Sequence, residues 1–372
     1  MKRRDLIASA VTVPPILLTG CANLVTPEPT SGPADAQITV LFDAFGNAPG
    51  LIRDWGYSAF VEFDGRRILF DTGNNGDILA QNARSLGVDL GRLDMVVMSH
   101  RHGDHMGGLA HVLSVNPKAT IYAPKDAFGV YGSDLPGSFY RKNDALAPQQ
   151  RYYGGKPPAV MRFGTAWPGA DFRLIDKTTQ LAPGVYLISL VSDKPGTLEL
   201  RELTLALATP QGVVLVVGCS HPGIERIVEA ATKIDPRVHL IAGGLHLVVS
   251  KDEEIAKIVD ILLNTYKVAH VAPGHCTGEP SFEAMSKAFA ARYLYAGVGT
   301  RLTLGATPRI LASPGSDQTE YAAVCDNGLR GYRALSAAND QRRRRLFAEL
   351  TPADLPDGNY LGQWRRSLAG CC

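Results

Sequence analysis

Residues 96–109 read VVMSHRHGDHMGGL, and the six positions 100–105 hold His100, His102, Asp104 and His105. Imidazole and carboxylate are borderline ligands that suit zinc, iron or manganese. The stretch follows an apolar, strand-like run. Side chains there still alternate sides, so His100 and His102 are expected to face the same way. Gly103 is read as the residue that lets the chain turn sharply. Asp104 and His105 then leave in a different direction as a helix begins. One loop thus offers two ligand pairs aimed at two neighbouring points, which suits a dinuclear metal site. Histidines this dense at a strand end are poorly explained as a chance polar loop.

Ligands on a loop need a frame behind them. ITVLFDAF, SAFVEF and RRILFDTG are short strand-like runs broken by Gly, Asp and Pro. GDILAQNARSLGVDL predicts a helix that buries Ile78, Leu79, Ala83 and Leu86. LDMVVMSH is a buried strand, MGGLAHVLSV a short helix and ATIYAPK a further strand. Residues 125–182 are rich in Tyr, Phe, Gly and Pro and read either as an inserted lid over a site or as a plain surface connection. The second half repeats the pattern with GVYLISLV, LTLALATP, GVVLVVG, VHLIAGG and AHVAPG. Its helices are PGIERIVEAATKI, with Pro222 in the first turn, and KDEEIAKIVDILLNTY, with Ser250 and Glu253 spaced as a capping box. Strands followed by helices, twice over, predict one α/β domain of two sheets covered by helices. The tail from 306 to 372 differs: it carries QRRRRLFAEL, read as a solvated helix face, and ends in Cys371-Cys372.

The chain has 372 residues, of which 45% are hydrophobic and 20% charged, an ordinary globular composition. Residues 1–20 read as an export signal: Lys2, Arg3 and Arg4, then an apolar stretch too short to span a bilayer. LTGC at 18–21 resembles a bacterial lipobox, which predicts cleavage before Cys21 and a lipid anchor on that cysteine. Arg3-Arg4 followed by Leu6 also resembles a twin-arginine signal. The expected location is the periplasmic face of a membrane. Residues 21–36, rich in Pro, Ser, Thr and Ala, read as the lipidated cysteine and its flexible tether. Without residues 1–20 the chain carries 35 charges of each sign, so the balance gives no support to nucleic-acid binding. No CxxC is present, so neither a zinc finger nor a redox motif is suggested.

The HRHGDH segment resembles the signature of the metallo-β-lactamase superfamily. That resemblance implies an αββα sandwich, two mixed sheets with helices on the outer faces, spanning 37–305, with two divalent metal ions between the tops of the sheets. ILFDTG resembles that fold's early aspartate turn, which would place Asp71 behind the metals, holding a ligand histidine by a hydrogen bond. The nine histidines leave a gap between His111 and His221, so the remaining ligands must come late. GCSH, GGLHL and GHCT end strand-like runs at His221, His246 and His275. The expected assignment gives one metal His100, His102 and His221, and the other Asp104, His105 and His275. Most members carry a strand-end Gly-Asp that bridges the metals, whereas this chain has Gly218-Cys219. Cys219 is therefore either a thiolate ligand or a structural cysteine. His246 either donates a proton or binds substrate at the site edge, or is a satisfied core histidine. His111, His239 and His270 read as structural.

GCSHPG, GGLHL and GHCTG together resemble the 7,8-dihydropterin-6-yl-methyl-4-(β-D-ribofuranosyl)aminobenzene 5′-phosphate synthase-like branch. The default expectation is a metal-dependent hydrolase that turns a metal-bound hydroxide on an ester, amide or phosphoester of a small-molecule substrate, with Asp104 and His246 as its acid–base residues. Zinc is the expected metal, with Mn or Fe as alternatives. Two other readings stand beside it: a dihydropterin-type synthase that releases diphosphate, against which the export signal counts, and a non-catalytic metal- or ligand-binding lipoprotein. Trp55, Tyr57, Phe139 and Tyr140 could stack on a substrate ring or simply pack.

Overall fold

The computed structural model describes residues 36–46, 48–126, 134–136, 144–145, 147–162, 167 and 169–311. The signal, Cys21 and nearly all of the tether lie outside these residues, as do Phe139, Tyr140, the arginine run and the terminal cysteines.

The chain opens with β1 (Gln37–Phe42), β2 (Ser58–Phe63) and β3 (Arg66–Phe70), an antiparallel meander. Helix α1 (Gly76–Ser85) then leads to β4 (Met95–Val97). The short helices α2 (Gly103–Met106) and α3 (Leu109–Val115) precede β5 (Thr120–Pro124). A small pair, β6 (Asp134–Pro136) with β7 (Val160–Arg162), is followed by β8 (Asp171–Ile175). The second sheet begins with β9 (Thr179–Ala182), β10 (Val185–Val191), β11 (Arg201–Thr209) and β12 (Gly212–Val217). It continues through α4 (Ile224–Ala231), β13 (Val238–Gly244), α5 (Asp252–Asp260), β14 (His270–Gly274) and α6 (Glu279–Phe289). Strands β15 (Arg301–Thr303) and β16 (Ile310–Leu311) return to the first sheet.

The first sheet runs β16-β15-β1-β2-β3-β4-β5-β8 and the second β14-β13-β12-β11-β10-β9. The period of two in a strand sorts side chains between two faces. Ile68 and Phe70 of β3 join Val214 and Val216 of β12 in the core between the sheets. Their neighbours Leu69 and Leu215 face outward. Leu69 packs with Leu79 and Ala83 of α1 and Leu109 and Val112 of α3. Leu215 packs with Ile227 and Val228 of α4, Ile258 of α5 and Met285 of α6. Helix, sheet, sheet, helix is the predicted sandwich. A one-residue slip of either strand would exchange these faces, so the buried set pins the register.

Several local expectations are corrected. Within the expected lid span, 125–182, β8 and β9 are the edge strands of the two sheets and so belong to the sandwich, while 127–133, 137–143 and 163–166 lie outside the described residues. Ala36, just ahead of the expected start, already belongs to the first sheet, its carbonyl accepting from Leu304 N, and β16 carries that sheet past residue 305. Pro222 precedes α4 instead of opening it, because Gly223 at φ 102° is the N-cap. The Ser250–Glu253 box does not form either, since Lys251 caps α5; Asp252, Glu253 and Glu254 instead place negative charge at its positive end. In α1 it is Asn82, not Ile78, that is fully buried. Its amide satisfies itself on Leu41 O, Ile52 O and Ile52 N.

Candidate metal centre

Strands β3 and β4 run parallel, as do β12, β13 and β14, so their C-terminal ends open toward one edge of the sandwich. Beyond β3 stands Asp71. Beyond β4 come Ser99 to His105, beyond β12 Cys219 to His221, beyond β13 His246 and beyond β14 His275 and Cys276. Residues there must point sideways out of the strands, and the backbone bends to allow it. Asp71 (φ 56°), Ser220 (φ 63°), His246 (φ 51°) and His275 (φ 47°) all adopt the left-handed region. Each costs on the order of 1–3 kcal/mol that the surrounding packing must offset, and such strain concentrates at functional sites.

Two donor groups result. His100 Nε2 lies 3.1 Å from His102 Nδ1 and 3.3 Å from His221 Nε2. His275 Nε2 lies 3.2 Å from His105 Nε2 and 3.3 Å from Asp104 Oδ2. Cys219 Sγ stands between them, 3.2 Å from His105 Nε2 and grouped with both His100–His221 and His105–His275. The sequence-derived trios are therefore brought together as spaced. Gly103, by contrast, has an ordinary φ and open space where a Cβ would stand, so the turn comes from the start of α2 and not from glycine.

The residues fit divalent cations. Ligands on a tetrahedral zinc with bonds of about 2.05 Å stand about 3.3 Å apart, which matches the nitrogen spacings. The tautomers also agree. Asp71 Oδ2 can only accept, so His105 Nδ1 donates to it at 2.7 Å, which leaves Nε2 as the nitrogen that would ligate once it gives up its proton. Ser99 Oγ spends its one proton on Asp71 Oδ2 at 2.7 Å and so accepts from His100 Nδ1 at 2.8 Å, freeing His100 Nε2 as well. Two imidazole lone pairs facing each other at this range repel unless a proton or a cation lies between them.

Charge follows geometry. Burial, reinforced by neighbouring histidines, pushes His100 and His221 far below the usual imidazole range and His102 down to about 4. These three are neutral and ready to ligate. Burial opposes charge on His105 too, but Asp104 and Asp71 outweigh it and lift it to about 9. Burial would lower His275, yet Cys276 and Asp104 raise it. Asp104 is held below the ordinary carboxylate range, because His105 and His275 overcome its burial. Burial drives the Cys219 thiol well up, whereas Cys276, opposed by the same burial, is drawn well down by Cys219, His275 and His246.

Glu202 and Asp43 brace the donor-bearing loops and were not anticipated from the sequence. Glu202 is 2% exposed on β11 and accepts from the N–H groups of Cys219, Ser220 and His221 at 2.9, 2.7 and 2.7 Å. It fixes the loop that presents two donors. Burial, offset by those three bonds, lifts its carboxyl to about 7. Asp43, fully buried at the end of β1, accepts from His275 N at 2.9 Å; burial lifts it to about 7 as well. A charged residue inside an apolar strand run was the available signal for Glu202. His239 and His270 pair away from the site and bond Gly305 O and His239 O, the structural role expected. Tyr57 is core at 1% exposed, while Trp55 is half-buried with its ring 5.2 Å from that of His275. His246 is half-buried, with its ring 4.2 Å from His221 and its Nδ1 without a hydrogen-bond partner.

Residues 54–185 match the metallo-beta-lactamase superfamily model. The solved structure of Tm1679, a metal-dependent hydrolase of the beta-lactamase superfamily, superposes with a TM-score of 0.55 at 27% identity, covering 73% of this chain and 99% of that one. The fold is that of the metallo-β-lactamase superfamily. The superfamily match includes Asp71 and the His100–His105 loop. A further relative is the 7,8-dihydropterin-6-methyl-4-(beta-D-ribofuranosyl)-aminobenzene-5'-phosphate synthase of Methanocaldococcus jannaschii, 29% identical over 239 residues, 59% of this chain and 78% of that protein. An uncharacterized protein of the same organism is 28% identical, over 62% of this chain and 86% of its own length. The metallo-β-lactamase fold thus extends through the strands that carry Cys219, His221, His246 and His275.

Proposed function

We propose that the chain is a metal-dependent hydrolase of an ester, amide or phosphoester. The carrying observation is the pair of donor trios at metal-ligand spacing with Cys219 Sγ between them. His100, His102 and His221 would hold one divalent cation, and Asp104, His105 and His275 the other; the nitrogen-rich donors favour zinc. Such a pair of ions supplies an acidified water and polarises the scissile group. The protein's own share is positioning and proton handling. Asp71 and Ser99 lock two imidazoles in the ligating tautomer. Asp104 stays anionic with its side chain 17% exposed, so it can accept a proton at the mouth of the site. His246, beside His221 and partly open to solvent, is placed to protonate a leaving group. Trp55 walls the side nearest His275 and offers a flat apolar surface to substrate.

A second reading rests on the 29% likeness to the synthase. The same two cations could bind a leaving diphosphate during transfer of a dihydropterin. The export signal read in residues 1–20 and the anchor at Cys21 weigh toward hydrolysis outside the cytoplasm. Zinc-loaded protein assayed on p-nitrophenyl phosphodiesters and esters, with elemental analysis alongside, separates the readings. Turnover lost in a His102→Ala, His275→Ala double variant supports the hydrolase. Diphosphate release only with a dihydropterin diphosphate and an aminobenzene ribose phosphate supports the synthase. Stoichiometric bound metal with no turnover on any substrate leaves a binding lipoprotein. Labelled palmitate incorporation that disappears in Cys21→Ala tests the anchor.

A further inference from the structure

The donors at this edge of the sandwich are not exhausted by the two trios. Cys219 Sγ, Cys276 Sγ and an imidazole nitrogen of His246 all lie within 4.8 Å of one another. We infer that Cys219, His246 and Cys276 form a third cation site, for a soft, thiophilic ion such as Cd2+ or Zn2+, abutting the dinuclear centre. Two thiolates and an imidazole are the donor set such ions prefer over oxygen-binding cations. Donors sharing one tetrahedral ion with metal–sulfur bonds of about 2.3 Å stand about 3.8 Å apart. The 4.8 Å that encloses the three donor atoms exceeds that spacing by about 1 Å.

The backbone is shaped for this group. Cys219 and Cys276 are 3% and 1% exposed, and they leave the sheet from β12 and β14, on either side of β13. At Gly244, the last residue of β13, a Cβ would stand 2.8 Å from Cys276 Sγ and 2.4 Å from Gly218 O, so the missing side chain makes room for the thiol. His246 holds its ring there from a left-handed backbone at φ 51°, with Nδ1 buried and without a hydrogen-bond partner. Its partial exposure gives an ion a way in and leaves a fourth position for solvent. A disulfide is the competing use of two facing thiols. Both thiols are free in the structure, with Cys276 Sγ 3.7 Å from Cys219 O. Cys219 is common to all three donor groups, so the third ion would sit against the other two. The site does not depend on which reaction the dinuclear centre runs.

The test uses the full chain, titrated with Cd2+ alone after metal removal. Bound equivalents and the ultraviolet cadmium–thiolate absorption are followed together. The expected result is that Cys276→Ser removes one equivalent and about half of the thiolate absorption while two equivalents remain. His246→Ala should weaken that same equivalent at least tenfold with both thiols in place. Identical stoichiometry and absorption in wild type and Cys276→Ser would overturn the site. Because either variant could misfold, alkylation of the wild-type protein is mapped by mass spectrometry with and without Cd2+. Protection of Cys219 and Cys276 together supports the site; protection of Cys219 alone refutes it.

Discussion

His105 Nδ1 stands 2.7 Å from Asp71 Oδ2, and neither side chain reaches solvent. The same oxygen accepts from Ser99 Oγ, which in turn accepts from His100. One carboxylate thereby sets the tautomer of a histidine in each trio. Asp71→Asn keeps the shape and tolerates the left-handed backbone but weakens both anchors. Metal affinity should fall about 10–100-fold, read by competition with a chromophoric chelator. Unchanged affinity in a folded variant would remove the role assigned to Asp71.

Glu202→Gln should uncouple the Cys219–His221 loop. An amide has one acceptor oxygen where the carboxylate offers two, and its N–H2 faces backbone donors. A buried donor left unmade costs about 1–3 kcal/mol, so the denaturation midpoint of metal-free protein should drop accordingly. The loss should extend to the cation held by His221, visible as a lower affinity for one equivalent of two.

Proton release should accompany metal loading. His105 is lifted to about 9 in the metal-free fold, chiefly by Asp104 and Asp71 against its burial. Because its folded value exceeds the usual 6.5, its contribution to metal-free stability is full below about pH 6.5 and fades as pH rises through 9. A cation must displace that proton, so affinity should climb about tenfold per pH unit between 7 and 9. Calorimetry in two buffers of different protonation enthalpy measures the protons released. None at pH 7 would contradict a charged His105.

Two glycine substitutions should part company. At Gly218 a Cβ would meet Ser99 Oγ at 2.3 Å and Asp71 Oδ2 at 3.2 Å. Gly218→Ala should cost about 1–3 kcal/mol of stability through overpacking and impair metal binding as Ser99 is displaced. Gly103→Ala, in the motif itself, meets nothing within 4 Å. It should leave melting temperature and metal content unchanged.

Much of the frame was legible because it rests on local periodicity. A strand's alternation sorts Ile68 and Phe70 from Leu69 whatever its neighbours are, and strand-to-loop junctions marked where donors would emerge. Helix starts were read less well. Gly223 and Lys251 cap α4 and α5 where Pro222 and a Ser250–Glu253 box were expected, since the path of the preceding loop decides which residue bends first.

The sequence by itself determined the kinds of donor, their order along the chain and the strands that carry them, because composition and a period of two are properties of short stretches. Only the tertiary structure decided that Cys219 sits between the trios, that His246 turns toward Cys276, and that Glu202 and Asp43 hold the loops from behind. Those outcomes depend on parallel strands far apart in the chain ending at one edge, and on four non-glycine residues held at positive φ. Contacts between distant segments impose such a backbone, and no local pattern of residues records it.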